Sequence, residues 1–368
     1  MRIIHKKTTQ NILDNTKTVM DITDKILLPS EHNLQGWFDA LSVEYKSILS
    51  VRFFIKEIFT LYNANKHDPE HDIELGFVLK DAESYFYEEK YDENELWWNA
   101  ENFQKAIIRL GRYIDDNTTY LSEYISPSRE MLYEISHQTK INASYIPLPN
   151  LHPLKQLLLV EDLSLQECEL DSLEDIEHLS YLKVLDIQNN NITSLKPLSF
   201  MRQLQWLGAS KNNIYDISPL SHLLFLEQID LRWNHIKSIE PLRELRAVKI
   251  LYCGVNEIEN IDAIANMSEL LVAGFSKNKI SSLEPLAGVK NILKILVANN
   301  RLTDIGCLRE HKKLTSVDFR NNQVSDLRPI FECEEIRNIG FDGNPIEQEG
   351  IQEFIAHYPS CFIHTNDN

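Results

Sequence analysis

This chain is short of positive charge. Its 368 residues carry 37 Lys and Arg against 55 Asp and Glu, a net charge of −18. Within the first 150 residues 16 basic side chains face 24 acidic ones, a balance of −8 that leaves −10 for the rest. Nucleic acid is therefore not an expected partner, because phosphate contacts need a basic surface. Long apolar runs are missing as well. The most apolar stretch, Ser47 to Tyr62, is interrupted by Arg52, Lys56 and Glu57, so no membrane span is expected. Residues 1–7 run into polar Thr and Gln without the apolar core of a signal peptide. Cysteine is scarce and odd in number: Cys168, Cys253, Cys307, Cys333 and Cys361. That argues against a disulfide framework and for a reducing, cytoplasmic setting. No phosphate-binding loop, nucleophile elbow, H-E-x-x-H or C-x-x-C occurs. His67 and His71 straddle Pro69, which favours a loop over the helix that two such ligands would need. No catalytic residue, metal or cofactor is assigned, and the chain reads as a non-enzyme.

What the chain does have is a register. Asn190, Asn212, Asn234, Asn256, Asn278, Asn300, Asn322 and Asn344 stand 22 residues apart. Around each, one apolar frame recurs: Leu182, Leu185, Ile187, Asn190, Ile192, Leu195, Pro197, Leu198 and Met201, then Leu204, Leu207, Ala209, Asn212, Ile214, Ile217, Pro219, Leu220 and Leu223. Nine repeats begin at Val160, Leu182, Leu204, Leu226, Val248, Leu270, Ile292, Leu314 and Ile336, and Cys168 takes the Asn position in the first. Leu151, Leu154 and Leu157 suggest a partial repeat ahead of them. Alternating side chains put the two apolar residues of L-x-L on one face of a strand, and stacked neighbours bury that face continuously. The Asn amide, with two donors and an acceptor, suits the crowded turn that comes next. The ladder is thus read as structural. The recurrent Ile-x-Pro-Leu half fits a short 3₁₀ turn, because proline fixes φ and lacks a donor.

This pattern resembles the 22-residue leucine-rich repeats of bacterial internalins and of the nuclear regulator of type-one protein phosphatase. The resemblance covers about residues 151–346. It implies an α/β solenoid of right-handed curvature, with a parallel sheet lining a concave face, and a family that mostly binds proteins there. The chain departs from the internalins in its lack of a secretion signal and its far longer N-terminal segment. Three regions are expected: an all-α N-terminal domain over 1–145, the solenoid over 146–346, and a cap and tail over 347–368. In the cap, Ile351, Phe354, Ile355 and Tyr358 recur at helical spacing. That helix, with Cys361, Phe362 and Ile363 after it, is expected to cover the last strand's edge.

The N-terminal segment reads as five helices, about 8–28, 34–63, 72–91, 94–115 and 118–137. Phe103, Ile107, Leu110 and Ile114 mark one buried stripe. Residues 67–101 hold twelve acidic side chains, two lysines and the aromatics Tyr85, Phe86, Tyr87, Tyr91, Trp97 and Trp98. They form either an acidic hairpin whose rings face the core or a second face for a basic protein.

Positions 2, 3, 5, 7, 8 and 10 of each repeat face or rim the sheet and are free of the folding frame. Over nine repeats they carry no net charge, unlike the rest of the chain. Glu161, Asp162, Glu167 and Glu169 make an acidic beginning; Lys277, Lys279, Lys294 and Arg301 make a basic stretch further on. Between them lie Trp206, Arg232, Trp233, Ile250, Tyr252, Leu271, Leu293 and Leu296, with Arg320 in the same arc. Trp, Tyr and Arg dominate interface energetics, and an apolar patch of this size marks a contact site, the alternative being that these side chains pack on one another or lie under the helical domain. The expected function is a protein-binding scaffold that recognises a partner protein on its concave face. It would sequester or regulate that partner as an immunity- or antitoxin-like protein or an adaptor does. Trp206, Trp233 and Tyr252 would be anchors, with Lys277, Lys279, Arg301 and Arg320 matching acidic groups. Both tryptophans are expected to be spare to folding. The alternative is an effector or enzyme with its activity in residues 1–145 and the repeats as targeting module.

Overall fold

In a computed structural model the described residues are 31–51, 58, 105–112, 114, 124 and 129–365. The chain divides into two compact units, one holding the N-terminal helices and the other the sheet.

In the helical unit, α1 (Glu31–Asp39) is followed by a break at 40–42, α2 (Val43–Lys46) and a π turn over Ser47–Val51. The single helix expected over 34–63 is therefore interrupted. Ser42 supplies the reason, since its side chain accepts from the Tyr45 backbone N–H and starts a new helix. A third helix, α3 (105–112), buries Ile107 and Leu110, and Ile114 extends the expected stripe at 1% exposure. A Cβ on Gly111 would lie 1.9 Å from the Ser47 hydroxyl oxygen, so glycine is what lets these two segments meet. Arg112 donates to Glu44 at 2.7 Å, and that guanidinium holds the Glu44 carboxyl below its usual range. The last helix, α4 (Arg129–Ser136), packs on α1. The expected helices over 8–28 and 72–91, and the acidic aromatic stretch 67–101 with its His67 and His71, lie outside the described residues.

The second unit is a stack. Among the described residues eleven three-residue strands form one parallel sheet in chain order: β1 Lys140–Asn142, β2 Asp162–Ser164, β3 Val184–Asp186, β4 Trp206–Gly208, β5 Gln228–Asp230, β6 Ile250–Tyr252, β7 Val272–Gly274, β8 Lys294–Leu296, β9 Ser316–Asp318, β10 Asn338–Gly340 and β11 Phe362–His364. From β1 to β10 the register advances by 22 residues at every step, as Val184 opposite Trp206 and Trp206 opposite Gln228 illustrate. The middle residue of each strand from β1 to β10 points inward and is buried, from Ile141 and Leu163 to Val317 and Ile339. Short 3₁₀ turns return the chain on the far side, several with proline in their first residues.

Asn190 through Asn344 run down the interior as expected. Asn212 Nδ2 donates to the Ile187, Ala209 and Ser210 carbonyls, and its Oδ1 accepts from the Ile192 N–H at 2.9 Å. Asn234 repeats the scheme one coil on. The residue before each ladder position is left-handed: Glu167, Asn189, Lys211, Trp233, Val255, Lys277, Asn299, Asn321 and Gly343, with φ between 53° and 73°. Its N–H reaches the next coil, as when Lys211 N donates to Arg232 O at 2.8 Å. Asn and Gly tolerate this backbone, whereas a β-branched Val255 or a Trp233 there is unfavourable.

The N-terminal end differs from expectation. The partial repeat placed near Leu151 is preceded by β1, which pairs with β2 through Ile141 and Leu163. Its frame is hard to read because Ile146 stands where most later coils carry the ladder asparagine. At the other end α5 (Gln348–His357) buries Phe354, and the Tyr358 hydroxyl lies within 2.7 Å of the Ile330 and Cys333 carbonyls. The segment after it covers the edge of β10, as expected. It pairs as β11, leaving Phe362 54% exposed.

Candidate functional site

The first and third residues of each strand leave the sheet on its solvent side, opposite the buried middle residue. From β4 to β8 these columns carry Trp206, Ile250, Tyr252, Val272 and Leu296, all half-buried. Large side chains lie flat here because glycines make room. A Cβ on Gly208 would sit 2.3 Å from the Trp206 indole, and one on Gly274 would sit 2.5 Å from the Tyr252 ring. Gly340 likewise lies under Asp318 and Arg320. Nothing in the reading of the sequence singled out Gly208 or Gly274. The signal available was glycine in a strand position beside a bulky neighbour.

On the side where the strands end, Trp233 stands 51% exposed, with the Lys277 ammonium 5.7 Å from its ring. The Arg232 guanidinium lies 5.0 Å from the Tyr252 ring and is fixed by hydrogen bonds from Nε and Nη2 to Asp230. Such cation–aromatic contacts contribute about 0.5–1 kcal/mol each at exposed sites. Their larger effect is to fix the rings before any partner arrives.

Trp206, Ile250, Tyr252 and Leu296 thus lie on the strands β4, β6 and β8, and Arg232, Trp233 and Lys277 in the turns after β5 and β7. Leu271 and Leu293 lie on the opposite edge, where the strands begin. Lys279 and Arg301 are two residues beyond the left-handed position, further round the coil; Lys279 pairs with Glu257 at 3.0 Å. Arg320 is committed elsewhere. It pairs with Asp318 at 2.9 Å and donates from Nη1 to the Thr365 carbonyl, so it secures the chain after β11. The two tryptophans also differ: Trp206 is seated on Gly208 and contributes to packing, whereas Trp233 is half in solvent.

Asp162, of the acidic beginning, and Asp186 lie on adjacent strands. Burial pushes the Asp186 carboxyl up to about 6, helped by Asp230 and Asp162 and opposed by its bonds from Gln188 N and Nε2. Burial also raises Asp162. A carboxyl raised above its unfolded value takes up its proton first in the folded state, so it adds stability as pH falls through 6 towards 4. Asp186→Asn is expected to raise stability at pH 7 by about 1 kcal/mol and to flatten that part of the stability–pH curve. Urea unfolding at pH 7 and pH 5 measures both.

Among the described residues no three His, Cys, Asp or Glu side chains are grouped to hold a metal ion. All five cysteines are unpaired and four are buried, with burial raising their thiols. No helix among the described residues is long and apolar enough to cross a membrane.

No family model and no curated protein match the chain. Solved structures do. An internalin from Listeria monocytogenes, inlF, superposes with a TM-score of 0.54 at 19% identity over 69% of this chain and 88% of its own. The functional domain of InlJ from the same organism gives 0.50 at 17% identity, over 61% and 52%. The fold is the leucine-rich-repeat solenoid. A plant peptide hormone receptor, RGFR1, solved in complex with RGF2, shares the fold with a TM-score of 0.51 at 18% identity, over 59% of this chain and 38% of the receptor. In the present leucine-rich-repeat chain the patch on β4–β8 comes from residues outside the repeat frame.

Proposed function

We propose that the chain is a non-enzymatic scaffold that docks a partner protein on the concave face of its repeats through the patch on β4–β8, and thereby sequesters or regulates it. One observation carries this reading above the rest. Trp233 is 51% exposed and held at φ 57°, so folding gains little from the ring and the backbone disfavours it. Four of the nine equivalent positions carry Asn or Gly. A large aromatic kept against local preference, beside a ring pinned by Arg232, has the character of an interface anchor. The plant receptor's complex with RGF2 supports a proteinaceous ligand for this architecture. Unpaired, mostly buried thiols suit a reducing cytoplasm.

Trp233→Asn tests the reading. The partner is captured from native lysate with the wild-type chain, identified, and titrated against the variant. Affinity is expected to fall at least tenfold while the melting temperature stays level or rises, because Asn suits the left-handed backbone. Unchanged affinity would refute the patch as the docking surface.

A further inference from the structure

Asp186, Asp230 and Asp318 each stand third in their strand, on the solvent side of the sheet. In two of these coils an arginine follows two residues later and is held in the same way. Arg232 donates from its backbone N and Nε to Asp230 Oδ1 at 3.1 and 2.9 Å, and from Nη2 to Oδ2 at 2.5 Å. Arg320 donates from the same three atoms to Asp318 at 3.1, 3.0 and 2.9 Å. The coil of Asp186 has Gln188 instead. Its backbone N and Nε2 donate to Asp186 Oδ1 at 3.1 and 3.0 Å, which reproduces the backbone and Nε contacts of the arginines. The Nη2 contact has no counterpart. Among the described residues Asp186 makes no ion pair, and its Oδ2 accepts no hydrogen bond.

The Asp186 carboxylate is half-buried, with Asp162 and Asp230 as acidic neighbours. A charge drawn partly out of water is costly unless a cation pairs with it. At Asp230 and Asp318 the chain supplies that cation itself; at Asp186 it does not. An aromatic ring is present in the same relation as well. The Arg232 guanidinium lies 5.0 Å from the ring of Tyr252, which stands opposite Asp230 on the next strand. Opposite Asp186 on the next strand is Gly208, and the Trp206 ring edge lies over it, 2.3 Å from where a Cβ would be. Gln166 adds a second incompletely bonded group. Its neighbours Leu165 and Glu167 donate their N–H groups to the Asp186 and Gln188 carbonyls. Its own side chain is 6% exposed, and Nε2 meets no acceptor.

We infer that Asp186 and Trp206 receive an arginine side chain of the partner protein, its guanidinium donating to Asp186 Oδ2 beside the indole. The contact would complete in trans what Arg232 and Arg320 complete within their own coils. It rests on the reading that a partner protein docks on the concave face, and it adds β3 to the β4 end of that surface. Arginine fits better than lysine, because a planar guanidinium pairs with a carboxylate and stacks on a ring at once. The Asp186→Asn protein, expected above to be the more stable, should therefore be the poorer binder.

The test uses the full chain and a phage-displayed library of random twelve-residue peptides. Selection on the wild type is expected to enrich peptides that share an arginine. Replacing that arginine by citrulline, which keeps its shape and removes its charge, should weaken binding at least tenfold. Asp186→Asn should weaken it as much. So should Gln188→Arg, which gives this coil the Asp-x-Arg of the other two and fills the place from within. Both variants should unfold at no lower urea concentration than the wild type; if Gln188→Arg does not fold, Asp186→Asn decides alone. The inference is overturned by peptides with no shared arginine, by equal affinity when lysine replaces it, or by arginine peptides indifferent to both substitutions. Peptides lost on Trp233→Asn but indifferent to Asp186→Asn and Gln188→Arg would overturn the arginine site and leave the docking reading standing.

Discussion

Asn212→Ala is expected to lower stability by about 2–4 kcal/mol. The side chain is 6% exposed and bonds within its own coil and to the one before it. Its carbonyl partners are shared: Ile187 O also accepts from Asn190 Nδ2 at 3.1 Å, and Ala209 O from Asn234 Nδ2 at 3.0 Å. Those acceptors survive the deletion. The Ile192 N–H does not, since Asn212 Oδ1 is its acceptor at 2.9 Å. A buried orphaned N–H costs about 1–3 kcal/mol, and the lost amide leaves a small cavity besides. Each coil contacts only its neighbours, so the damage should separate the stack into two parts that unfold at different urea concentrations. Circular dichroism during urea titration would show a shifted, broadened transition; a loss below 1 kcal/mol would mean that water replaces the amide. Position 168 shows how the ladder does without Asn. There Cys168 Sγ donates to Ala143 O at 3.1 Å, and the Leu148 N–H is satisfied by the Cys168 backbone carbonyl at 2.9 Å. Position 212 has no such substitute, because Asn212 Oδ1 alone meets Ile192.

How much of the molecule is legible in its sequence depends on which forces repeat. The interior frame is imposed on every coil by the same stacking, so Leu182, Leu185 and Asn190 recur and announce the architecture. β1 was hidden because the first coil is atypical, with Ile146 in the ladder column. The break at Ser42 was hidden because a buried helix and two short buried helices share one apolar pattern, and only the cap betrays the difference. In the patch, residue types and columns could be read but orientations could not. Spacing alone places Arg320 among the binding cations, yet its partners Asp318 and Thr365 come from the same coil and from the end of the chain. Gly208 and Gly274 matter through the rings that lie on them, which one repeat's sequence does not state.

Replacing Trp206 and Trp233 together with alanine is expected to weaken partner binding more than a hundredfold while the two changes divide in their effect on folding. Anchoring tryptophans typically contribute about 2 kcal/mol or more each, and about 1.4 kcal/mol is a factor of ten. Even with incomplete additivity the pair should exceed two decades. Stability should drop by about 1–2 kcal/mol, almost all of it from Trp206, whose indole covers the backbone at Gly208 and shields apolar surface. Trp233 should cost nothing measurable, since half of it is in solvent and its left-handed backbone disfavours the side chain. The single variants therefore separate two roles that the double variant merges. Gly208→Val provides the control: its side chain would displace the Trp206 ring without deleting it. Titration calorimetry against the isolated partner, with urea unfolding of the same preparations, gives both quantities. If Gly208→Val weakens binding as much as Trp206→Ala, the orientation of the indole matters and not merely its presence. If it weakens binding less, the presence of the indole matters more than the orientation Gly208 allows; if neither change weakens binding, Trp206 packs for folding and Trp233 anchors the patch without it.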